Sequence, residues 1–81
     1  MQRPTPEKLR HLREHYAKGS RVRLLRMDDP YRPDLKAGAM GTVVGVDDAG
    51  NILVSWDCGS SLSVLYGVDA CTVVEGRKIH D

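Results

Sequence analysis

The sequence predicts a mainly β fold in which one N-terminal α-helix precedes a small barrel of five short strands. Two observations carry this prediction. A helix-start signal, Thr5-Pro6-Glu7, lies near the beginning of the chain. Between residues 51 and 69, two runs of alternating apolar residues are joined by a short turn, which is the pattern of a β-hairpin. With 81 residues the chain has room for one small domain.

The helix is predicted from its capping residues and from one apolar stripe. Thr5 supplies a capping hydroxyl, Pro6 fits the first helical position, and Glu7 places an acid near the positive end of the helix dipole. Residues at spacings of three and four form the stripe: Leu9, Leu12 and Tyr16. We expect the helix to run to about Lys18, with Gly19 as the left-handed residue that ends it, and to dock on the sheet that follows.

The remaining elements are short strands separated by turn residues. The first strand spans residues 20–26, with Val22 and Leu24 pointing inward. The second spans 39–46, the two arms of the hairpin about 52–56 and 62–66, and the last about 71–74. A long proline-bearing loop follows the first strand. Five short strands with one long loop after the first are typical of an SH3-like barrel. An OB-fold, the competing five-stranded barrel, often has a helix between its third and fourth strands, where this chain has a three-residue turn.

The hairpin is the predicted stability core. Its alternating residues share one face: Ile52, Val54, Trp56, Leu62, Val64 and Tyr66. Cys58, Gly59 and Ser60 are predicted to form the turn. The expected organisation is therefore an N-terminal extension at 1–4, a single helix-plus-barrel domain at 5–75 and a C-terminal tail at 76–81.

Composition excludes several classes of protein. Hydrophobic residues make up 41% of the chain and charged residues 28%, which is ordinary for a folded domain. No apolar run is long enough to span a membrane, and the charged N-terminus does not resemble an export signal, so we expect a cytoplasmic protein. Two cysteines are too few for a disulfide scaffold or a four-ligand zinc site. We expect both thiols to be reduced.

No residue pattern predicts catalysis, a metal or a cofactor. His11 and His15 share a helix face at a metal-ligand spacing, but no third ligand is placed, and a solvated face is favoured. Cys58 and Cys71 lack an activating motif, and the serines lack a nucleophile elbow. Four turn aspartates could hold a hard cation, but turn-stabilising roles are favoured for them: Asp28, Asp29, Asp57 and Asp69. The sequence thus predicts a protein that is not an enzyme.

Two surfaces are candidate partner sites. An aromatic groove of the kind that grips peptides could combine the long loop with the hairpin aromatics: Asp28, Asp29, Pro30, Tyr31, Pro33, Trp56 and Tyr66. The other interpretation places both hairpin rings in the core, and it is favoured. A basic patch could contact phosphates: Arg10, Arg13, Arg21, Arg23 and Arg26. Residues 1–26 carry a net charge of +6 and residues 27–75 carry −6, so the acidic part could neutralise this patch.

Six motifs in order resemble a family of small bacterial domains of unknown function, family forty-three fourteen. They are Gly19-x-Arg21-Val22, Met27-Asp28-Asp29-Pro30, Gly38-x-x-Gly41-Thr42-Val43, Val46-Asp47-Asp48-x-Gly50, Val54-x-Trp56-Asp57-x-Gly59-Ser60 and Leu62-x-Val64-x-Tyr66-Gly67-x-Asp69. The resemblance implies a compact cytoplasmic bacterial domain, met on phages, plasmids and conjugative elements, with no established activity. Cys58 departs from the family pattern, which favours Asn in that turn.

A weaker likeness links the central strands to the Mind-bomb/HERC2 domains of eukaryotic ubiquitin ligases, SH3-like barrels that look like peptide binders. We therefore expect a non-enzymatic interaction module whose partner is a protein or peptide. The alternative is a weak, electrostatic nucleic-acid-binding accessory domain of a phage or mobile element. No membrane partner is expected, and the sequence predicts no oligomeric state.

Overall fold

The structure is a computed structural model that describes residues 3–27 and 35–75. In this part of the chain one helix and four strands follow in order: α1 (Pro6–His15), β1 (Arg21–Arg26), β2 (Met40–Val46), β3 (Ile52–Trp56) and β4 (Ala70–Glu75). All strand pairs are antiparallel, and the strand order is β3-β2-β1-β4. The predicted mainly β fold with an N-terminal helix is confirmed. The predicted five-stranded SH3-like barrel is wrong, because the described sheet is open and has four strands.

Helix α1 begins as predicted and ends earlier. The Oγ1 atom of Thr5 accepts a hydrogen bond from the backbone N–H of Lys8 at 3.1 Å, and Pro6 occupies the first turn. The helix ends at His15 rather than near Lys18, because Tyr16 leaves the helical conformation with φ −103° and ψ 57°. Gly19 has a positive φ of 94°, but it lies in the turn into β1 rather than at the helix end. No described helix is long and apolar enough to cross a membrane.

The helix docks on the turn between β2 and β3. A Cβ atom at Gly50 would lie 2.8 Å from Cγ of Pro4 and 3.3 Å from Cδ1 of Leu12, so only a glycine leaves room for this contact. At its other end, Tyr16 packs against the core, and its hydroxyl donates a hydrogen bond to the backbone oxygen of Cys71 in β4. The predicted docking of the helix on the sheet is therefore confirmed, although no residue of α1 is fully buried.

One face of the sheet forms the hydrophobic core. Its buried apolar side chains come from all four strands, from the chain before β2 and from the chain after β3: Val22, Leu24, Leu35, Val43, Ile52, Val54, Trp56, Val64 and Cys71. The side chains that alternate with them point to the opposite face, where Arg23 and Val44 are exposed. The inward residues of β1 and β3 are those that the sequence pattern predicts.

The second arm of the predicted hairpin follows β3 without becoming a strand. Ile52 and Val64 exchange two backbone hydrogen bonds of 3.0 and 2.9 Å, and the backbone N–H of Trp56 donates to the carbonyl of Ser60 at 2.9 Å. In this register the carbonyl of Leu62 would accept from the backbone of Val54. It accepts instead from the indole Nε1–H of Trp56 at 2.8 Å. The backbone N–H of Leu62 also bonds elsewhere, to Oγ of Ser60 at 3.3 Å, so a single bridge remains where the sequence predicts a strand.

Gly41 in β2 makes room for the Trp56 ring. The two residues are opposite each other in the β2–β3 register. A Cβ atom at Gly41 would lie 2.6 Å from Cγ1 of Val54, 2.8 Å from Cε3 of Trp56 and 2.9 Å from the backbone oxygen of Ser55. Two of these atoms belong to fully packed core side chains and the third to the backbone, so none can move away cheaply.

Gly41→Ala is expected to destabilise the domain by about 1 to 3 kcal/mol, because the added methyl group overpacks the core. Gly45→Ala is the matched control, since a Cβ atom there meets nothing within 4 Å and its φ is not positive. We expect the control to change the free energy of unfolding by no more than about 1 kcal/mol. Urea unfolding followed by Trp56 fluorescence measures both. Equal stability of the two variants would contradict the packing of Trp56 on Gly41.

Candidate functional site

The described residues do not form the predicted aromatic groove. Trp56 is only 2% exposed and belongs to the core, as the favoured interpretation of the sequence has it. Tyr66 is half-buried, and its backbone N–H donates to Oδ1 of Asn51 at 2.9 Å. The loop members of the proposed groove lie outside the described residues: Asp28, Asp29, Pro30, Tyr31 and Pro33. The ring of Trp56 thus presents almost no surface to a partner, and a binding role for the loop residues stays a prediction.

The predicted basic patch is dispersed. Nη2 of Arg13 lies 2.8 Å from Oδ1 of Asp48, just before β3, whereas Arg21 binds Asp57, just after β3. A five-residue strand separates these two ion pairs by roughly 16 Å. Arg26 donates to the backbone oxygen of Val68 at 3.0 Å. The fold thus brings the basic first part of the chain against acidic turns, and the segregation of charge along the sequence partly cancels.

Arg21 and Asp57 form the best-organised ion pair among the described residues. Two parallel hydrogen bonds of 2.9 and 2.5 Å join the guanidinium to the carboxylate, and Nη1 of Arg21 also donates to Oγ1 of Thr42 at 2.9 Å. The hydrogen bonds from Arg21 lower the pKa of Asp57 below its ordinary value. Arg21 therefore joins β1 to the turn after β3 and is a structural residue.

Asp47 and Asp69 act on the backbone of their turns, unlike Asp57, which binds Arg21. Oδ1 of Asp47 accepts from the N–H groups of Ala49 and Asn51 at 3.0 and 2.9 Å, and Oδ2 of Asp69 accepts from the N–H of Leu65 at 3.0 Å. The bond from Ala49 to Asp47 is that of an Asx turn, and the bond to Asp69 ties its side chain back to the residue four positions before it. Asp28 and Asp29 lie outside the described residues. Across residues 3–27 and 35–75, no three His, Cys, Asp or Glu side chains gather where they could hold a metal ion.

The two cysteines are free thiols in contrasting environments. Cys58 is exposed in the turn after β3, and Cys71 is buried in β4 with 8% exposure. Burial raises the pKa of the Cys71 thiol to about 11, so this thiol stays protonated at neutral pH and is a poor nucleophile. Desolvation also raises the pKa of the neighbouring Tyr16 hydroxyl.

The two edges of the sheet differ. On the β3 edge, the chain from Ser60 to Val64 supplies backbone partners for Ile52 and Trp56. On the β4 edge, the only hydrogen bond from the described residues is that from the Tyr16 hydroxyl to the carbonyl of Cys71, at 3.2 Å. An edge strand with free backbone groups is a template for pairing with another chain. The β4 edge is therefore the candidate functional site.

The hydrogen bonds of β1 show which β4 groups face outward. The N–H of Leu24 donates to the carbonyl of Ala39, and the carbonyl of Leu24 accepts from the N–H of Gly38. Both backbone groups of Leu24 therefore point to the β2 side. Cys71, opposite Leu24, therefore turns its N–H and carbonyl to the outer edge. Val73, opposite Val22, has the same orientation, and Thr72 between them bonds to β1.

Val73 is the position of this edge at which both outward backbone groups are without a partner among the described residues. Its side chain packs partly on the core, and its outward N–H and carbonyl have no partner among the described residues. Sequence reasoning missed this site because it treated residues 71–74 as the strand that closes a barrel. A barrel has no edges, whereas the open sheet leaves one.

The contrast between the cysteines is testable with a thiol reagent. In the native protein at mildly alkaline pH, Cys58 should react and Cys71 should not, because Cys71 is buried and its pKa is about 11. We expect one thiol per molecule to titrate before denaturation and two in guanidinium chloride. Cys58→Ser, the control, should leave no fast-reacting thiol. Fast reaction of the remaining Cys71 in native Cys58→Ser would contradict its burial.

The comparisons with known proteins give a family and no function. No curated protein and no solved structure matches this chain at a significant level. One family model, described as Domain of unknown function (DUF4314), matches residues 5–74, from the helix cap to the end of β4. This match covers most of the chain and agrees with the ordered motifs of the sequence. The chain therefore belongs to the family Domain of unknown function (DUF4314).

Proposed function

We propose that this domain is a non-enzymatic interaction module that binds a protein partner by accepting an extended segment of it as an added strand on β4. The observation that carries the proposal is the outer edge of β4, where the backbone groups of Val73 are unpaired among the described residues. Main-chain hydrogen bonds along such an edge supply affinity for an extended peptide, and side-chain contacts on alternating faces supply specificity.

The surroundings of this edge suit reversible pairing. Tyr16 covers one outward group, the carbonyl of Cys71, through a hydroxyl that water or a partner N–H can replace. Capping part of an edge in this way limits uncontrolled aggregation while leaving the next position open. Beside Val73, Val74 is 41% exposed and offers an apolar contact on the face away from the core.

Catalysis has little support from the described residues. Cys71 has a raised pKa, and the carboxylates of Asp47, Asp57 and Asp69 are used in turns or in an ion pair. These groups are held by the fold and are not gathered around a reacting position. The family resemblance further supports a cytoplasmic, bacterial setting on mobile elements, which we include in the proposal.

The alternative, weak electrostatic nucleic-acid binding, has less support than it had from the sequence. Arg13, Arg21 and Arg26 are engaged within the fold. Nucleic acid could then be bound only through phosphate contacts with the remaining basic residues. The affinity of such binding falls steeply with salt and does not depend on base sequence. Tight, salt-resistant binding of DNA or RNA would favour this alternative over a protein partner.

Val73→Pro tests the proposed function. The N–H that proline removes points outward, so no hydrogen bond within the sheet is lost, whereas an added strand loses a donor and meets the proline ring. Val73→Thr is the matched control, since it keeps the N–H and the β-branched shape. Peptides selected from a random short-peptide display library on the wild-type domain would be labelled and titrated by fluorescence anisotropy.

We expect Val73→Pro to weaken binding about tenfold or more and Val73→Thr to leave it nearly unchanged. In the wild-type domain, NMR amide shifts on peptide addition should be largest in β4. These shifts decide the question even if Val73→Pro fails to fold. Recovery of no peptide, or shifts confined to residues far from β4, would contradict the proposal.

A further inference from the structure

We infer that the segment accepted by β4 is acidic. This inference rests on the proposed function and names the chemistry of its partner. Two groups of basic or ionisable side chains have no acidic partner among the described residues: Arg23 on β1, the strand next to β4, and Lys8, His11 and His15, which line one side of the helix together with Tyr16, whose hydroxyl bonds to β4. In contrast, Arg13 and Arg21 form ion pairs, and Arg26 donates a hydrogen bond to a backbone oxygen.

The outer face of the sheet, which is the face away from the core, carries Arg23. Arg23 is exposed, and its neighbours across β2 and β4 are the uncharged Met40 and Thr72. On an added strand, the residue opposite Thr72 would lie on the same face as Arg23. Two strand spacings would separate the backbones of these two residues, which is about 10 Å. An arginine and a glutamate side chain extended toward each other span that distance. Arg21 lies two residues before Arg23 in β1 and is already bound to Asp57.

The inner face meets the helix. The Tyr16 hydroxyl reaches Cys71, so the end of α1 lies at the β4 edge, and the His15 ring packs edge-on against Tyr16 with ring centroids 4.7 Å apart. A shallow depression of about 220 Å³ is lined by the helix residues of this side: Lys8, His11, Leu12, His15 and Tyr16. Residues of an added strand opposite Cys71 and Val73 would turn their side chains toward this end of the helix.

The acids of the helix lie on another side of it. Glu14 pairs with Arg10 at 4.0 Å, and Glu7 lines a different depression together with Pro6 and Arg10. Glu7 and Glu14 thus leave the Lys8 side of the helix without a carboxylate.

Two acids lie at the ends of β4: Asp69, whose carboxylate accepts from the backbone N–H of Leu65, and Glu75, which is opposite Arg21 in the register. Between these ends, an acidic strand would meet Arg23 on one face and Lys8 on the other, and a basic strand would be repelled by them.

Three fluorescein-labelled peptides test this inference. Each alternates Thr and Val, with three guest positions spread over both faces that carry Glu, Gln or Lys. Fluorescence anisotropy at low and at high salt gives their affinities. We expect the Glu peptide to bind about threefold or more tighter than the Gln peptide, the Lys peptide to bind weakest, and the differences to shrink at high salt.

Two charge variants give the control. Arg23→Gln should weaken the Glu peptide and leave the Gln peptide unchanged. Arg10→Gln removes one positive charge from a different side of the helix from Lys8. It should leave the affinities of both the Glu and the Gln peptide unchanged.

The outcomes separate the two proposals. If all three peptides bind equally and Val73→Pro abolishes their binding, the acidic preference is wrong and strand addition stands. If no peptide binds, or if the Glu peptide binds equally well to Val73→Pro, both are wrong. Selective pairing of β4 with β4 of a second copy, seen as a concentration-dependent dimer that excludes the peptides, would also overturn the acidic partner.

Discussion

The placement of the Trp56 side chain is the constraint on which the rest of the structure depends. Its ring fills the space above Gly41, where a Cβ atom would lie only 2.8 Å from Cε3, and its indole N–H donates to the carbonyl of Leu62 at 2.8 Å. The first contact fixes β3 against β2, and the second holds the following segment along β3. One buried aromatic residue therefore sets the core and closes one edge of the sheet, which is efficient in a domain with so little interior.

This arrangement makes the two sheet edges unequal. The segment that ends at Val64 lies along the β3 edge, held by one bridge and by the indole hydrogen bond, and so occupies the place of an added strand. The β4 edge receives only the Tyr16 hydroxyl from the described residues. The proposed binding of an extended acidic segment follows from this difference, together with the unneutralised charge of Arg23 and of the Lys8 side of the helix.

Local features of the fold could be predicted from the sequence, and long-range ones could not. The Thr5 cap, the inward residues of β1 and β3 and the glycine turn at Gly59 follow from nearest-neighbour chemistry, and the structure has each of them. The fifth strand is absent because both backbone groups of Leu62 bond to side chains, those of Trp56 and Ser60, which the alternation of apolar residues does not reveal. The aromatic residues of the sequence indicate a groove and give no sign of a binding edge. Whether the backbone N–H of Val73 faces β1 or solvent depends on hydrogen bonds between Leu24 and residues 38 and 39. That register is a property of the assembled sheet.

Backbone amide hydrogen exchange of the isolated domain tests the central claim most directly, because it measures each edge separately. Slow exchange is predicted for the N–H groups of Ile52 and Val64, which bond to each other's carbonyls, and for Thr72, which faces β1. Val73, one residue further along β4, should exchange much faster than Thr72, since its N–H faces outward without a partner. Protection of Val73 equal to that of Thr72 in the monomer would mean that the β4 edge is already covered, and would contradict the account.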